Sequence, residues 1–280
     1  MPTRDKTRLD GGDDQRSLAV LIDADNAQPS VIQGLLEEVA KFGVAAVKRI
    51  YGDWTSTSHA QWKRALLRHS IAPVQQFAYT SGKNATDSML IIDAMDLMYT
   101  RRFDGFCLVS SDSDFTRLAQ RLREEGLLVL GFGEKKTPEP FVVACDKFVY
   151  TEVLRPETPQ PAARPAPTPA KKAPAKRVSG RTVESAAAPA PSTPPSTNRA
   201  SAVPVQLILQ AIDEATDETG WASLGAVGNY LTKIRPDFDP RLYGHRKLSD
   251  LIRAIPAAFQ SEERGNTAGT KTIFVRAVKP

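Results

Sequence analysis

Residues 18–26, Leu-Ala-Val-Leu-Ile-Asp-Ala-Asp-Asn, form a short apolar run that ends in carboxylates. Residues 107–115 (CLVSSDSDF) repeat this arrangement, and residues 84–87 (NATD) place another aspartate at the start of a helical pattern. A continuous apolar run of this length is typical of a strand that is buried on both faces of a parallel sheet. The carboxyl ends of such strands meet at one edge of the sheet, so we expect the three segments to bring their carboxylates together.

Strand and helix patterns alternate through the first half of the chain, which is typical of an α/β fold with a mainly parallel sheet. The predicted strands cover residues 18–22, 44–51, 71–79, 103–110, 127–133 and 148–153. Helical spacing covers residues 30–42, 59–69, 86–100 and 115–125. Pro29 and Gly43 flank the first helix as start and stop signals, and Gly126 follows the fourth helix. These patterns predict a three-layer α/β/α sandwich.

Composition narrows the class of protein. The chain has 280 residues, of which 41% are hydrophobic, so we expect roughly two compact units. It contains no apolar run of about 18 residues, and its first residues are charged, which argues against a membrane span and a secretory signal. We therefore expect a cytoplasmic protein. Cys107 and Cys145 lie in or near apolar runs without metal-ligand spacing, and they are predicted to be buried thiols.

Charge and composition divide the chain into four parts. Residues 1–17 are predicted to be a disordered tail, 18–154 the first domain, 155–200 a linker and 201–280 a second domain. The linker is rich in Pro and Ala and has 8 Lys and Arg against 2 Asp and Glu, so it carries the positive excess of the chain. This segment could contact a polyanion, or its charges could simply keep a spacer soluble.

The acidic segments favour a divalent metal. Asp23 ends the first predicted strand, Asp112 follows the fourth, and Asp87 opens the third helix, with Asp25 and Asp114 two residues after Asp23 and Asp112. Carboxylates that converge repel one another unless they are protonated or bridged by a cation, and Mg²⁺ or Mn²⁺ would remove that repulsion. The alternative is that single residues among them are helix N-caps.

Three motifs in this region match a known family. The strings IDADN at residues 22–26, TD at 86–87 and VSSDSDF at 109–115 resemble the NYN domain, a branch of the PIN-like ribonucleases that includes the LabA-like proteins. The resemblance covers about residues 18–154 and implies a PIN-like sandwich and a metal-dependent endoribonuclease. The site residues that it implies are the metal ligands Asp23, Asp87 and Asp112, the additional acidic residue Asp114 and the polar partner Asn26.

Basic and aromatic residues near these motifs are candidates for RNA contacts. Lys83 lies beside the second motif and could neutralise a phosphate, or it could be an ordinary turn lysine. Near the second strand and helix, the candidates for phosphate contacts and base stacking are Arg49, Trp54, Lys63, Arg64 and Arg68. Trp54 has packing in the core as its alternative role.

The Asp23-Ala24-Asp25 segment is also compatible with a second enzyme class. It also looks like the nucleophile motif of haloacid-dehalogenase-type phosphotransferases, in which the first aspartate attacks phosphorus. Pro29 begins a helix a few residues later and leaves little room for the flap of those enzymes. Residues 110–115 (SSDSDF) lack their glycine-aspartate pattern. This class is therefore the less favoured enzyme.

The region after the linker has a different pattern. Helices are predicted over residues 205–215, 222–234 and 242–255, and strands over 257–261 and 271–278, which together indicate a winged helix-turn-helix. The wording GW at 220–221, DFDPR at 237–241, YG at 243–244 and KL at 247–248 resembles the LOTUS domain, also called OST-HTH, over about residues 203–278.

The LOTUS resemblance implies either RNA binding or docking of a protein partner. Candidates for phosphate contacts around its third helix are Arg246 and Lys247, with Arg241 and His245 beside them. The alternative is a solvated helix face. Together the two domains predict a metal-dependent ribonuclease that a LOTUS domain directs to RNA or to a partner, with a non-catalytic RNA-binding regulator as the second reading.

Overall fold

A computed structural model describes residues 15–55, 57–77, 85–155, 202–265 and 271–278. Most of the predicted N-terminal tail, most of the predicted linker and the candidate Lys83 lie outside these ranges.

A six-stranded parallel sheet forms the centre of the first domain. Its strands are β1 (Ser17–Asp23), β2 (Val44–Gly52), β3 (Ala72–Gln75), β4 (Gly105–Val109), β5 (Leu128–Gly133) and β6 (Lys147–Tyr150). Their order across the sheet is β3-β2-β1-β4-β5-β6. This arrangement confirms the predicted α/β fold with a parallel sheet.

Five helices accompany the strands in the described part of this domain. They are α1 (Ile32–Val39), α2 (Trp62–His69), α3 (Ala85–Tyr99), α4 (Thr116–Glu124) and α5 (Glu139–Ala144). The sequence analysis missed α5, which has only six residues and too few turns to show a helical period. The prediction that the last strand runs to residue 153 was wrong, because the chain turns into a 3₁₀ helix at Thr151–Leu154.

Burial explains the uninterrupted apolar run of β1. Ala19 and Leu21 pack into one core on one face of the sheet, whereas Leu18, Val20 and Ile22 pack into a second core on the other face. All five are fully buried, and burying a side chain such as Leu or Ile contributes about 1.5–3 kcal/mol. The central strand is thereby fixed between two layers of helices.

The strand order reverses between β1 and β4, and this reversal positions the acidic segments. These two strands are parallel neighbours, with Ile22 paired to Val109 near their carboxyl ends. The residues that follow them therefore leave the sheet side by side. The predicted stop signals are present as well, since Gly126 has a φ of 75° and a Cβ at Gly43 would lie 2.2 Å from the carbonyl oxygen of Arg16.

The described part of the second domain contains three α-helices and a small antiparallel sheet, as predicted. Its elements are α6 (Val205–Ala215), β7 (Ala222–Ser223), α7 (Leu224–Ile234), α8 (Leu248–Arg253), β8 (Phe259–Gly265) and β9 (Lys271–Ala277). The predicted third helix was too long, because residues Pro240–Tyr243 form a separate 3₁₀ turn that ends at Gly244 with a φ of 83°. Among the described helices of both domains, none has the length and apolarity that crossing a membrane requires.

Candidate metal centre

Asp23, at the end of β1, is fully buried and accepts three hydrogen bonds. Its Oδ1 accepts from the Asp25 N–H at 2.9 Å, and its Oδ2 accepts from Asn26 Nδ2 at 2.7 Å and from Ser110 Oγ at 2.8 Å. Burial raises the pKa of Asp23, and the three hydrogen bonds oppose that rise. The predicted polar partner Asn26 therefore contacts the first aspartate directly.

Ser110 links the two strand ends, and the sequence analysis assigned it no role. It is buried, its hydroxyl donates to Asp23, and it accepts the Asp112 N–H at 3.1 Å. The available signal was its position, because it is the first polar residue after β4 and follows Val109, the neighbour of Ile22. Ser110 thus couples the first and third acidic segments.

Asp87, Asp112 and Asp114 converge in front of these strand ends. One carboxylate oxygen of each lies within 4.8 Å of those of the other two. Asp87 is in the first turn of α3. Asp112 Oδ1 accepts the Asp114 N–H at 2.9 Å and caps the 3₁₀ helix Ser113–Phe115, so its capping role and its place in the cluster coexist. The structure therefore brings together three of the predicted acidic residues.

Partial burial and like charge act together on this cluster. Partial burial, followed by the charges of Asp23, Asp112, Asp114 and Asp25, raises the pKa of Asp87 to about 6. Hard divalent ions such as Mg²⁺ and Mn²⁺ prefer carboxylate oxygens, and such an ion would offset the repulsion. The donor set thus fits a hard divalent ion. Asp23 is not one of the three converging residues, and its role as a ligand stays a prediction.

Comparison with protein families identifies both domains. Residues 17–152 match the NYN domain, and residues 197–269 match the OST-HTH/LOTUS domain. The chain carries an NYN domain followed by a LOTUS domain. This combination supports an RNA-directed, nuclease-type function, since NYN domains belong to the PIN-like nuclease superfamily.

Solved structures resemble parts of the chain. An uncharacterized protein of Nitrosomonas europaea is 39% identical, over 35% of this chain and 94% of that chain, with a TM-score of 0.27. A protein of unknown function from Vibrio parahaemolyticus is 17% identical, over 50% and 95%, with a TM-score of 0.42. A Chromobacterium violaceum protein is 33% identical, over 26% and 77%, with a TM-score of 0.23. These TM-scores do not establish a shared overall fold. A comparison with curated proteins finds no match.

The loop after β2 of the NYN domain contains His59, which contacts Asp25 beyond the end of β1. This buried side chain places Nε2 3.2 Å from Asp25 Oδ1 and Nδ1 3.1 Å from the carbonyl oxygen of Asp53. Because a carbonyl oxygen only accepts, Nδ1 is the donor in the second contact. His59 therefore connects the end of β1 to the loop that follows β2.

A mainly apolar groove of about 580 Å³ continues from His59 along α2. Its lining includes Trp54, Lys63 and Leu67, and 78% of Leu67 is exposed to solvent. Trp54 Nε1 donates to the carbonyl oxygen of Val74 at 3.0 Å, and the residue packs partly against the core. This contact supports the packing alternative for Trp54, although the residue also lines the groove.

The other candidates for RNA contacts have different environments. Arg49 pairs with Asp93 of α3 at 2.5 Å, and the Tyr51 hydroxyl donates to the same carboxylate. Arg64 is exposed on α2, and Arg246 and Lys247 are exposed just before α8 of the LOTUS domain. Arg49 is thus committed to an internal ion pair, whereas the other three are accessible to a polyanion.

Proposed function

We propose that this protein is a metal-dependent ribonuclease that cuts within RNA strands. The supporting observation is the convergence of Asp87, Asp112 and Asp114 at the point where the strand order of an NYN domain reverses. In the proposal these three residues hold Mg²⁺ or Mn²⁺, and Asp23 completes the negative field behind them. The LOTUS domain brings the nuclease to RNA or to a protein partner.

The chemistry follows from the residue types at the site. A divalent ion, when bound, activates water and neutralises negative charge on the scissile phosphate and on the leaving oxygen. Asp112 is held in position through its own backbone N–H, which Ser110 accepts, and through its bond to the Asp114 N–H. Asn26 and Ser110 orient Asp23 by donating to the same oxygen. These contacts preorganise the acids before the substrate arrives.

The proposed path of the RNA strand runs over α2. This helix (WKRALLRH) carries Lys63, Arg64 and Arg68 and contains no acidic residue. Basic side chains of this kind track the phosphates of a single strand, while apolar surface such as the neighbouring groove accepts bases. A positive helix beside an acidic metal site also supports a polyanionic substrate.

The test is cleavage of end-labelled single-stranded RNA and DNA of the same sequence, with Mg²⁺, with Mn²⁺ and with excess chelator. Wild type is compared with Asp112→Asn, which keeps an N-capping side chain and so preserves the 3₁₀ helix. Asp96→Asn is the matched control, because Asp96 is an exposed acid on α3. The proposal expects metal-dependent cutting of RNA by wild type and by Asp96→Asn, and its loss in Asp112→Asn.

The same assay separates the second reading from the first. RNA binding without cutting under any metal condition would overturn the ribonuclease and favour the non-catalytic regulator. Equal cutting of RNA and DNA would keep the nuclease but reject RNA as the specific substrate. Cutting that persists unchanged in Asp112→Asn would move the active site away from the acidic cluster.

A further inference from the structure

The loop after α7 of the LOTUS domain lies along the open edge of the NYN sheet. Strand β6 is the outermost strand on that side, and its Phe148 N–H donates to the carbonyl oxygen of Pro236 at 3.0 Å. Lys147 Nζ donates to the carbonyl oxygen of Phe238 at 2.8 Å, and the Tyr150 hydroxyl donates to Asp237 Oδ2 at 3.1 Å. The loop therefore contacts β6 from Lys147 to Tyr150, with one backbone bond and two side-chain bonds, on an edge whose backbone groups have no further strand beside them.

Arg241 connects this loop to a second element of the NYN domain. Its guanidinium donates through Nε and Nη2 to Asp239, and Nη1 donates to Glu38 Oε2 of α1 at 3.0 Å. The two carboxylates are almost wholly buried, with side-chain exposures of 8% for Glu38 and 9% for Asp239. A buried charge needs a partner, so removing Arg241 would leave two buried acids without their shared cation.

Charges of opposite sign from the two domains meet at this contact. Lys147 faces the acids Asp239, Glu38 and Asp237 and the cation Arg241. Burial favours the neutral form of Asp239, but hydrogen bonds and charge from Arg241 outweigh that effect and lower its pKa. Exposed, independent surfaces do not need matched buried charges, whereas a lasting interface does.

We propose that the LOTUS domain docks on the β6 edge of the NYN domain of its own chain and that the two domains form one rigid unit. Arg241 stabilises this interface through its ion pairs. The length of the chain between the two domains favours a partner from the same chain. The NYN domain ends within a few residues of β6, and the intervening Pro-rich segment holds the two surfaces at a high effective concentration. The earlier suggestion that Arg241 contacts RNA phosphates is then replaced by this internal role.

Docking uses residues outside the acidic cluster and gives the protein a fixed geometry. The docking contacts lie on β6, from Lys147 to Tyr150, and at Glu38 of α1, whereas Asp23 ends β1 and Asp112 follows β4. If the proposed ribonuclease activity holds, the exposed Arg246 and Lys247 stand at a constant distance from the acidic cluster. The distance between the bound RNA segment and the cut is then set by the interface and not by the length of the linker.

The first experiment tests docking without reference to activity. A protease site is placed within residues 165–190 of the full chain, the purified protein is cut, and the fragments are analysed by size-exclusion chromatography with light scattering. Wild-type fragments are expected to co-elute as one particle of the mass of a single chain. Glu38→Arg, which faces Arg241 with a like charge, is expected to release them. Glu37→Arg makes the same charge change at an exposed neighbour on α1 and is expected to keep them together.

The mass and the folding of the cut fragments test the docking proposal. Separation of the wild-type fragments would overturn the proposed docking. A particle with the mass of two chains that Glu38→Arg disrupts would also overturn it, because the contact would then join two copies of the chain. Circular dichroism of the released Glu38→Arg fragments checks that both remain folded. If they do not, Arg241→Gln is cut in its place, and hydrogen exchange at the Phe148 amide is compared with wild type. Faster exchange supports docking, and unchanged exchange rejects it.

The second experiment tests the fixed geometry through the cut positions on a long RNA. Variants with 20 residues removed from or added to the Pro-rich segment are expected to cut at the positions used by wild type. Glu38→Arg is expected to spread the cuts over more positions. Cut positions that shift with linker length would reject the fixed geometry. Absence of any cutting would reject the proposed ribonuclease activity. The co-elution experiment would still test the docking, because it does not depend on activity.

Discussion

Two groups of acidic side chains in this protein show opposite electrostatic behaviour. At the carboxyl ends of β1 and β4, partial burial and then like charges raise the pKa of Asp87. At the contact between domains, Arg241 lowers the pKa of Asp239 although that residue is the more deeply buried. The difference shows that burial alone does not determine the direction of the pKa shift of an acidic group or the role of that group. An acidic group with internal cations beside it stabilises the fold, whereas one that has other carboxylates beside it is suited to an external cation.

The largest effect is expected when the internal cation Arg241 is removed. Arg241→Ala is expected to lower the free energy of unfolding by about 3 kcal/mol, because the buried Asp239 loses its guanidinium partner and Glu38 keeps only Lys41 among the described residues. Urea denaturation measures the change. Arg246→Ala removes the same side chain from an exposed position and is expected to change stability by less than about 0.5 kcal/mol. Equal changes in the free energy of unfolding for the two substitutions would contradict the proposed role of Arg241 at the interface.

Ser110 tests whether the acidic site depends on its supporting hydrogen bonds. Ser110→Ala leaves Asp23 Oδ2 and the Asp112 N–H each short of a partner, and the expected loss of stability is about 1–2 kcal/mol. We also expect Mn²⁺ to bind about tenfold more weakly, as is typical when a supporting contact is removed. Isothermal titration calorimetry measures binding, with exposed Ser113→Ala as the control. Unchanged Mn²⁺ affinity in Ser110→Ala would exclude this positioning role.

The smallest expected effect is a difference in pH dependence between the two groups. Because its folded pKa is raised to about 6, Asp87 destabilises the metal-free protein as pH rises from about 4 to 6. The cost is about 0.5 kcal/mol after solvent screening. Asp87→Asn should therefore be slightly more stable than wild type at pH 7 in chelator, with no gain at pH 4. Thermal melts at both pH values measure this, and a gain of the same size at pH 4 would be inconsistent with a titrating Asp87.

Asp239 is expected to respond with the opposite sign. Its folded pKa is lowered, so its stabilising effect is present above the unfolded value of about 3.9 and is lost as pH falls through the folded value. The cut wild-type protein should therefore remain associated at pH 5 and release its fragments in more acidic buffer. Release already between pH 7 and pH 5 would point to a different titrating group.

The sequence predicted the sheet and the acidic cluster because both depend on local patterns. The apolar run of β1 and the carboxylates after β1 and β4 identify a parallel sheet with a site at its edge, and the structure places Asp87 and Asp112 there. Ser110 was missed because a serine at a strand end carries no chemical signature. The docking loop was missed for a different reason. Arg241 and Glu38 are 203 residues apart in the chain. A single sequence does not distinguish an arginine that is exposed from one that forms a buried salt bridge.

The central claim is that Asp87, Asp112 and Asp114 hold a divalent ion, and Mn²⁺ binding followed by electron paramagnetic resonance at pH 7 tests it most directly. Wild type and Asp96→Asn are expected to bind Mn²⁺, whereas Asp87→Asn and Asp112→Asn are expected to lose that binding. Wild-type affinity should fall by about tenfold per pH unit below pH 6, where a proton competes for Asp87. Mn²⁺ binding that is equal in all four proteins and independent of pH would contradict the account.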